Sequence, residues 1–228
     1  MGADKGTGLF VVTIDGPAGV GKTTLARAVA QHLGVAYLDT GAMYRSVAWI
    51  LGQGSWEWPE EQLAQGLARL DFSIQGAGEA TTLLVNGHAA GSEIRTETVG
   101  LWASHVAKIP QVRCRLTEIQ RSLGQSVSLV AEGRDMGTVV FPKALFKFFL
   151  DASPEVRAKR RWLQLRDAGR TEDLQELTRQ MRMRDEQDRH RAIAPLKPAK
   201  DAVCIDTGSL DPSQVLQQIL GRISSQMS

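Results

Sequence analysis

Cysteine is scarce in this sequence. Its 228 residues include only Cys114 and Cys204, which lie far apart and form no C-x-x-C pair. That spacing argues against a disulfide framework or a zinc site, and it fits a reducing cytoplasm. Long apolar runs are also missing, so no segment is long enough to span a membrane. The opening residues MGADKGTG lack the apolar core of a signal peptide and predict a short flexible lead-in.

The sequence also lacks a large excess of positive or negative charge. Lys and Arg total 27 and Asp and Glu total 25, which gives a formal net charge of only +2. No polycationic surface is implied, so we do not expect DNA or RNA as a partner. The hydrophobic content of 43% is ordinary for a soluble globular protein, and the length supports a single domain with a large core. No dimer seam is evident, so we expect a monomer.

What the sequence does contain is a strong motif in residues 9–24, LFVVTIDGPAGVGKTT. The apolar run up to Ile14 predicts a parallel strand buried on both faces. It stops at a turn signal, and a helical pattern begins at about Lys22. The turn between them matches G-x-x-x-x-G-K-[ST], the P-loop. A strand before the motif and a helix after it are the context that a nucleotide-binding P-loop needs.

Each residue type in this loop has a physical reason. Glycines let the backbone wrap closely around phosphate, and the N-terminus of the next helix adds partial positive charge. Lys22 is placed to reach the β- and γ-phosphates. Thr23 offers a hydroxyl to Mg²⁺, which prefers oxygen ligands and keeps bound waters. The predicted phosphate-binding residues of the loop are Gly16, Pro17, Ala18, Gly19, Val20, Gly21, Lys22, Thr23 and Thr24.

Two later strand ends carry charged residues. A short strand ends at LDTGAMYR, where Thr40 is predicted to cap a helix. Arg45 then either helps to hold an anion or is a solvated helix residue. A second buried strand, residues 127–131, runs into EGRDMGT. An arginine and a carboxylate at this point, Arg134 and Asp135, sit where α/β sheets place ligands, although a surface salt bridge is the alternative.

The rest of the chain completes an α/β pattern. Residues 70–94 change to short alternating runs with a hairpin-like Asn86-Gly87 turn, which predicts a small inserted antiparallel sheet. Arginine is unusually dense over residues 157–191, and a break at 167–171 separates two helical patterns. We interpret half of these arginines as a solvated face and the others as part of a lid that closes over a triphosphate. Elsewhere strands alternate with helices, which predicts a mainly parallel sheet covered on both sides.

DGPAGVGKTT followed by LDTGAMYR resembles the bacterial cytidylate kinases, and the likeness extends roughly over residues 10–220. The resemblance implies a P-loop NTPase fold of three α/β/α layers, with a small antiparallel β insert and a short helical lid. It implies a core at approximately 9–40, 105–160 and 192–228, a monophosphate-binding insert at 41–104 and a lid at 161–191. It also implies transfer of the γ-phosphate of ATP to CMP or dCMP, with Mg²⁺.

The resemblance further implies roles for individual residues. Lys22, Arg134 and Arg191 are the expected catalytic residues, and Arg157 and Arg161 are the expected lid arms on ATP. The residues expected to hold the CMP phosphate are Thr40, Arg45, Arg134 and Arg191. Those expected to read the cytosine edge are Ser104, Arg113 and Asp135, and those expected to meet the ribose are Arg184 and Asp188. Glu132 stands where some members have Asp, and a role through a Mg²⁺-bound water stays open.

Three other interpretations remain at this point. Another small-acceptor P-loop kinase, of the UMP/CMP, adenylate or shikimate type, would share the loop, but EGRDMGT favours the cytidylate group. A GTP-dependent switch or nucleotide sensor would explain nucleotide binding without transfer, but the sequence has no N-K-x-D guanine motif. An RNA-binding protein using the basic lid helix is disfavoured by the near-neutral net charge.

Overall fold

The computed structural model describes residues 8–227 of the chain. The predicted lead-in, MGADKGTG, lies outside this range except for Gly8. Within the described range the strands are β1 (Val11–Asp15), β2 (Ala36–Asp39), β3 (Phe72–Gln75), β4 (Thr82–Val85), β5 (His88–Ala89), β6 (Leu129–Gly133), β7 (Phe146–Asp151) and β8 (Val203–Asp206). The α-helices are α1 (Lys22–Leu33), α2 (Thr40–Leu51), α3 (Glu60–Ala68), α4 (Glu97–Val106), α5 (Pro110–Ser126), α6 (Pro154–Asp167), α7 (Leu174–His190) and α8 (Pro212–Met227).

A five-stranded parallel sheet in the order β2-β6-β1-β7-β8 forms the centre of the molecule. Asp15 lies opposite Gly133 across the β1–β6 pair, and Asp39 lies opposite Glu132 across the β2–β6 pair. Since parallel strands end at the same edge, the P-loop, the start of α2 and the EGRD segment meet there. The strands β3, β4 and β5 form a separate antiparallel sheet. The predicted α/β fold with a small antiparallel insert is confirmed.

Helices cover both faces of the sheet. Along β6, Leu129 and Ala131 join one buried cluster, which includes apolar side chains of α2, α3 and α5. Val130, between them, points to the other face and joins a second cluster with α1 and α8. This alternation is the two-residue period of a strand, with both faces apolar because both are buried. The result is three layers, in which the three central strands β6, β1 and β7 are almost completely buried.

Local structure differs from expectation at the start of α2. Thr40 was expected to cap this helix, but that prediction is wrong, because the helix already begins at Thr40, directly after the end of β2. Asp39 is the cap, and its Oδ1 accepts a hydrogen bond from Ala42 N at 2.8 Å. The Thr40 hydroxyl instead donates to the Glu132 carbonyl at 2.6 Å, which ties α2 to β6.

The segment after β6 is more ordered than a plain turn. Residues Met136–Val140 form one wide helical turn. Val140 N donates to Asp135 O at 3.2 Å and Phe141 N to Met136 O at 2.7 Å, both with the five-residue spacing of a π-helix. Such single π-turns are frequent at functional sites. In the part of the chain that is described, no helix combines the length and apolar character needed to cross a bilayer.

Candidate active site

The P-loop forms an open cradle between β1 and α1. A Cβ on Gly16 would lie 2.2 Å from the Leu150 carbonyl oxygen, so only glycine permits this close approach to β7. Gly21 precedes α1 with φ 97° and supplies no side-chain cap. The amide donors of the first helical turn are therefore available to an anion. The Lys22 ammonium lies back across the loop and donates to Pro17 O at 2.7 Å.

Lys22 and Glu132 form the charged floor of the cradle, both nearly inaccessible to solvent. Burial lowers the pKa of Lys22 well below its usual range, and the nearby Arg134 guanidinium lowers it further. Burial raises the pKa of Glu132, although Lys22 acts in the opposite direction. Tyr37 and Thr23 both donate hydroxyl hydrogen bonds to the Glu132 carboxylate. The Thr23 hydroxyl and the Glu132 carboxylate thus place hard oxygen atoms at the end of the P-loop.

A cavity of about 120 Å³ opens at the same edge of the sheet, between α2, α4 and α7. All nine residues that the resemblance assigned to the second substrate line it. They are Thr40, Arg45, Ser104, Arg113, Arg134, Asp135, Arg184, Asp188 and Arg191. These residues come from five separate parts of the chain, and the fold brings them together. Tyr44, Lys108 and Gln187 also line the cavity, and the sequence had not indicated them.

One end of the cavity holds a buried ion pair between Arg113 and Asp135, whose side chains are 6% and 5% exposed. Arg113 Nη1 also donates to Ala107 O at 3.2 Å, and its guanidinium lies 5.7 Å from the centre of the Tyr44 ring. The second carboxylate oxygen of Asp135, Oδ1, lies 3.8 Å from Arg191 Nη2 and accepts no hydrogen bond from the described residues. This oxygen is left able to accept a hydrogen bond from a ligand.

The other end of the cavity is rich in arginine. Arg45 donates to two backbone carbonyls, Ile94 O at 3.0 Å and Thr96 O at 2.9 Å, and no carboxylate among the described residues is hydrogen-bonded to it. Arg191 lies nearer the first end, with Nη2 3.8 Å from Asp135 Oδ1, and this Nη2 is buried without a hydrogen-bond partner among the described residues. Burial lowers the pKa of Arg45, Arg184 and Arg191, with neighbouring guanidinium groups adding to the effect. Such unmatched positive charge is suited to a bound phosphate.

Asp188 partly balances this charge. Its Oδ2 accepts from Arg134 Nε at 2.9 Å. Burial by itself would raise the pKa of Asp188, but Arg134, Arg184 and Arg191 outweigh it and hold the pKa below its usual value. The carboxylate is therefore ionised at neutral pH and keeps a second oxygen for a ligand.

The two arginines expected as lid arms differ in their surroundings. Arg157 is 1% exposed and donates to Ala152 O at 2.8 Å, Ala18 O at 2.9 Å and both carboxylate oxygens of Asp185. It thus joins the P-loop to α7. Arg161 is partly exposed and pairs with Glu97 at 2.6 Å, which joins α6 to α4. Asp185 was not indicated by the sequence, because buried and exposed charges look alike in an arginine-rich helix.

Comparison with known proteins agrees with this geometry. The sequence profile of the cytidylate kinase family matches residues 12–225. A cytidylate kinase of Maridesulfovibrio salexigens is 53% identical over 92% of this chain and 95% of its own length. One of Oleidesulfovibrio alaskensis is 57% identical over 94% of this chain and 98% of its own length. A crystal structure of an uncharacterized protein from Eubacterium ventriosum, 13% identical, superposes with a TM-score of 0.51 over 96% of this chain and 99% of that one, a likeness of fold alone.

Proposed function

The chain belongs to the cytidylate kinase family, and we infer that it transfers the γ-phosphoryl group of ATP to CMP or dCMP, giving ADP and CDP or dCDP. One observation carries this proposal. A cavity with an unmatched arginine cluster at one end and a carboxylate–guanidinium pair at the other opens beside a P-loop. A nucleoside monophosphate has the same polarity, with a dianion at one end and a hydrogen-bonding base at the other.

The P-loop is the proposed donor site. Its amides and the start of α1 would cradle the phosphates of ATP, in contact with residues 16–24. A phosphate beside Lys22 favours the ammonium form and raises the pKa that burial lowers in the free protein. The Thr23 hydroxyl and the neighbouring Glu132 carboxylate are hard oxygen groups that suit Mg²⁺, Glu132 through a bound water. The ion neutralises charge on the β- and γ-phosphates when bound.

The arginine end of the cavity is the proposed acceptor site. Thr40, Arg45 and Arg134 would hold the CMP phosphate, and Arg191 would reach it from its position beside Asp135. Phosphoryl transfer depends on positioning and charge neutralisation, and the acceptor is already an anion, so no strong general base is needed. We therefore propose Lys22, Arg134 and Arg191 as the catalytic residues. Arg157 and Arg161 are proposed on the ATP side; Arg157 is adjacent to the loop through Ala18.

The opposite end is the proposed base-reading site. Asp135 Oδ1 would accept from the exocyclic amine of cytosine, and Arg113 would donate to its carbonyl, with Ser104 beside them. Uracil has a carbonyl where cytosine has the amine, so it would face the Asp135 carboxylate without a hydrogen bond. Arg184 and Asp188, which line the same cavity, are proposed to meet the ribose.

We also propose how the chain is organised and where it acts. The segments 9–40, 105–160 and 192–228 form the core, 41–104 the monophosphate-binding insert and 161–191 the lid. The protein acts as a monomer in the cytoplasm; the exposed free thiols of Cys114 and Cys204 suit a reducing compartment.

Product identification tests the function. The protein is incubated with Mg·ATP and CMP, and nucleotides are separated by ion-exchange chromatography. We expect ADP and CDP in equal amounts. ADP without CDP would show ATP hydrolysis in place of transfer and would refute the proposal.

A further inference from the structure

We propose that Asp15 is a positioning residue for the acceptor site: it orients Arg134 and Asp135 by holding the backbone that follows them. Asp15 touches neither proposed substrate site directly. Its carboxylate Oδ1 accepts from Met136 N at 2.9 Å, and Oδ2 accepts from Gly137 N at 2.8 Å. The inference rests on the proposed function, since it concerns the same CMP site.

The location of Asp15 makes these contacts specific. It is the last residue of β1 and lies opposite Gly133, the last residue of β6. The chain on the β6 side continues directly into Arg134 and Asp135. Asp15 is only 4% exposed, so water cannot easily replace it as the acceptor. A fixed strand end thus holds the segment that bears two of the proposed CMP contacts.

The bonded segment transmits this restraint to the two side chains. Asp135 O accepts from Val139 N at 2.9 Å, which closes the helical turn Met136–Val140 onto Asp135 itself. The carboxylate of Asp15 accepts hydrogen bonds from the amides of Met136 and Gly137 at the start of that turn. These hydrogen bonds fix the Asp135 carbonyl and the two amides that follow it. In this position the side chain of Asp135 faces Arg113, and the side chain of Arg134 faces Asp188.

Gly137 packs closely against β1 and β7. A Cβ at Gly137 would lie 3.1 Å from Thr13 Oγ1, 3.3 Å from Lys147 Cδ and 3.4 Å from Asp15 Oδ2. The turn therefore lies directly against β1, with little room for a larger residue. A methyl group at this position would crowd Thr13 and Lys147 and shift the turn relative to Asp15 by a few tenths of an ångström.

The P-loop does not depend on these bonds. It follows Asp15 in the chain, but Lys22 holds it at Pro17 O and Arg157 holds it at Ala18 O. The Asp15 carboxylate is also close enough to Lys22 to favour its charged form, but burial and the Arg134 guanidinium affect Lys22 more strongly. Loss of the Asp15 carboxylate should therefore disturb CMP recognition much more than ATP binding. A purely structural role at the start of the P-loop would affect both.

The test compares Asp15→Asn with the wild-type protein. Asparagine has nearly the same shape but cannot accept from both amides with its two terminal atoms. We expect the KM for CMP to rise by about tenfold or more, the preference for CMP over UMP to narrow, and the Kd for ATP to stay within about twofold. Asp151→Asn is the matched control, because Asp151 ends the adjacent strand β7 and its carboxylate contacts Arg189 and the amide of Ala152 instead. It should leave all three values unchanged.

Gly137→Ala approaches the same contact from the partner side and serves if Asp15→Asn does not fold. It should reproduce the rise in the KM for CMP with unchanged ATP affinity. An unaltered KM for CMP in the folded variants, or an equal loss of ATP affinity, would overturn the positioning role. Absence of CMP turnover in the wild-type protein would instead refute the proposed function, and this inference with it.

Discussion

Arg113 of α5 and Asp135, two residues after β6, form an ion pair in the wall of the cavity, and both side chains are almost completely buried. Burying two charges is costly unless they are paired and hydrogen-bonded. Here Asp135 Oδ1 accepts no hydrogen bond from the described residues, and a buried carboxylate oxygen of this kind suits recognition of a ligand.

The first prediction concerns this pair. Asp135→Asn should narrow the preference for CMP over UMP by on the order of tenfold or more, because an amide can donate to the uracil carbonyl whereas a carboxylate cannot. The ratio of kcat/KM values for the two acceptors measures it. A ratio equal to that of the wild-type protein would remove Asp135 from the base-reading site.

Asp188 is predicted to act on the sugar. Asp188→Ala should bring the kcat/KM values for CMP and dCMP closer together, because only CMP has a 2′-hydroxyl for that carboxylate to accept from. The preference for CMP over UMP is the internal control and should not change. If the CMP/dCMP ratio stays the same, Asp188 does not meet the ribose.

Lys22 is predicted to be essential for turnover but not for folding. Lys22→Ala should lower kcat by at least about 10²-fold, because the transferred charge loses a preorganised cation. Circular dichroism should show a folded protein, and the exposed Lys200→Ala serves as the control with unchanged turnover. Near-normal turnover in Lys22→Ala would reject the P-loop assignment.

Two arginines of α6 should differ in their effect on stability. Arg157→Ala should lower the free energy of unfolding by about 3–5 kcal/mol, because it leaves the Asp185 carboxylate buried without its partner. Arg161→Ala removes a half-exposed ion pair with Glu97. This variant should change the free energy of unfolding by only about 0.5 kcal/mol. Urea unfolding of both variants measures the difference. Equal losses of unfolding free energy in the two variants would contradict a stabilising role for the buried Arg157–Asp185 pair.

The pH dependence of stability should report on Asp15. Burial raises its pKa from 3.8 to about 6, although the amides of Met136 and Gly137 oppose the rise. Between these values the folded protein keeps a proton that the unfolded chain has lost. The contribution of Asp15 to stability is therefore greatest below about pH 4 and falls as the pH rises through about 6, by on the order of 3 kcal/mol.

Comparison with Asp15→Asn isolates this contribution from other titrating groups. The difference in unfolding free energy between wild-type and variant, from urea denaturation at pH values across this range, should decline and then level off. A difference independent of pH would show that Asp15 ionises normally.

The sequence allowed most of the fold to be predicted, because local signals and global fold agree. The P-loop and the Asn86-Gly87 turn both depend on residues adjacent in the chain. Asn86 and Gly87 indeed have φ values of 52° and 79°. The nine proposed acceptor contacts came from family resemblance, and the structure brings them into one cavity.

What the sequence could not provide were long-range contacts between polar groups. Asp15 was interpreted only as part of a turn, since nothing local shows that its carboxylate meets amides over 120 positions away. The strand-end argument that drew attention to Arg134 and Asp135 applies equally to Asp15 and could have found it. Asp39 replaced Thr40 as the cap because the first residue of a helix is predicted from sequence only to within a residue or two.

The most direct test of the central claim is the acceptor selectivity of the wild-type protein. ADP release from Mg·ATP is measured by a coupled assay with CMP, dCMP, UMP, AMP, GMP and shikimate in turn. We expect strong turnover with CMP and dCMP and weak turnover with the others. Efficient turnover with a different acceptor would keep the P-loop chemistry but contradict Ser104, Arg113 and Asp135 as base readers, and no turnover with any acceptor would contradict the kinase function itself.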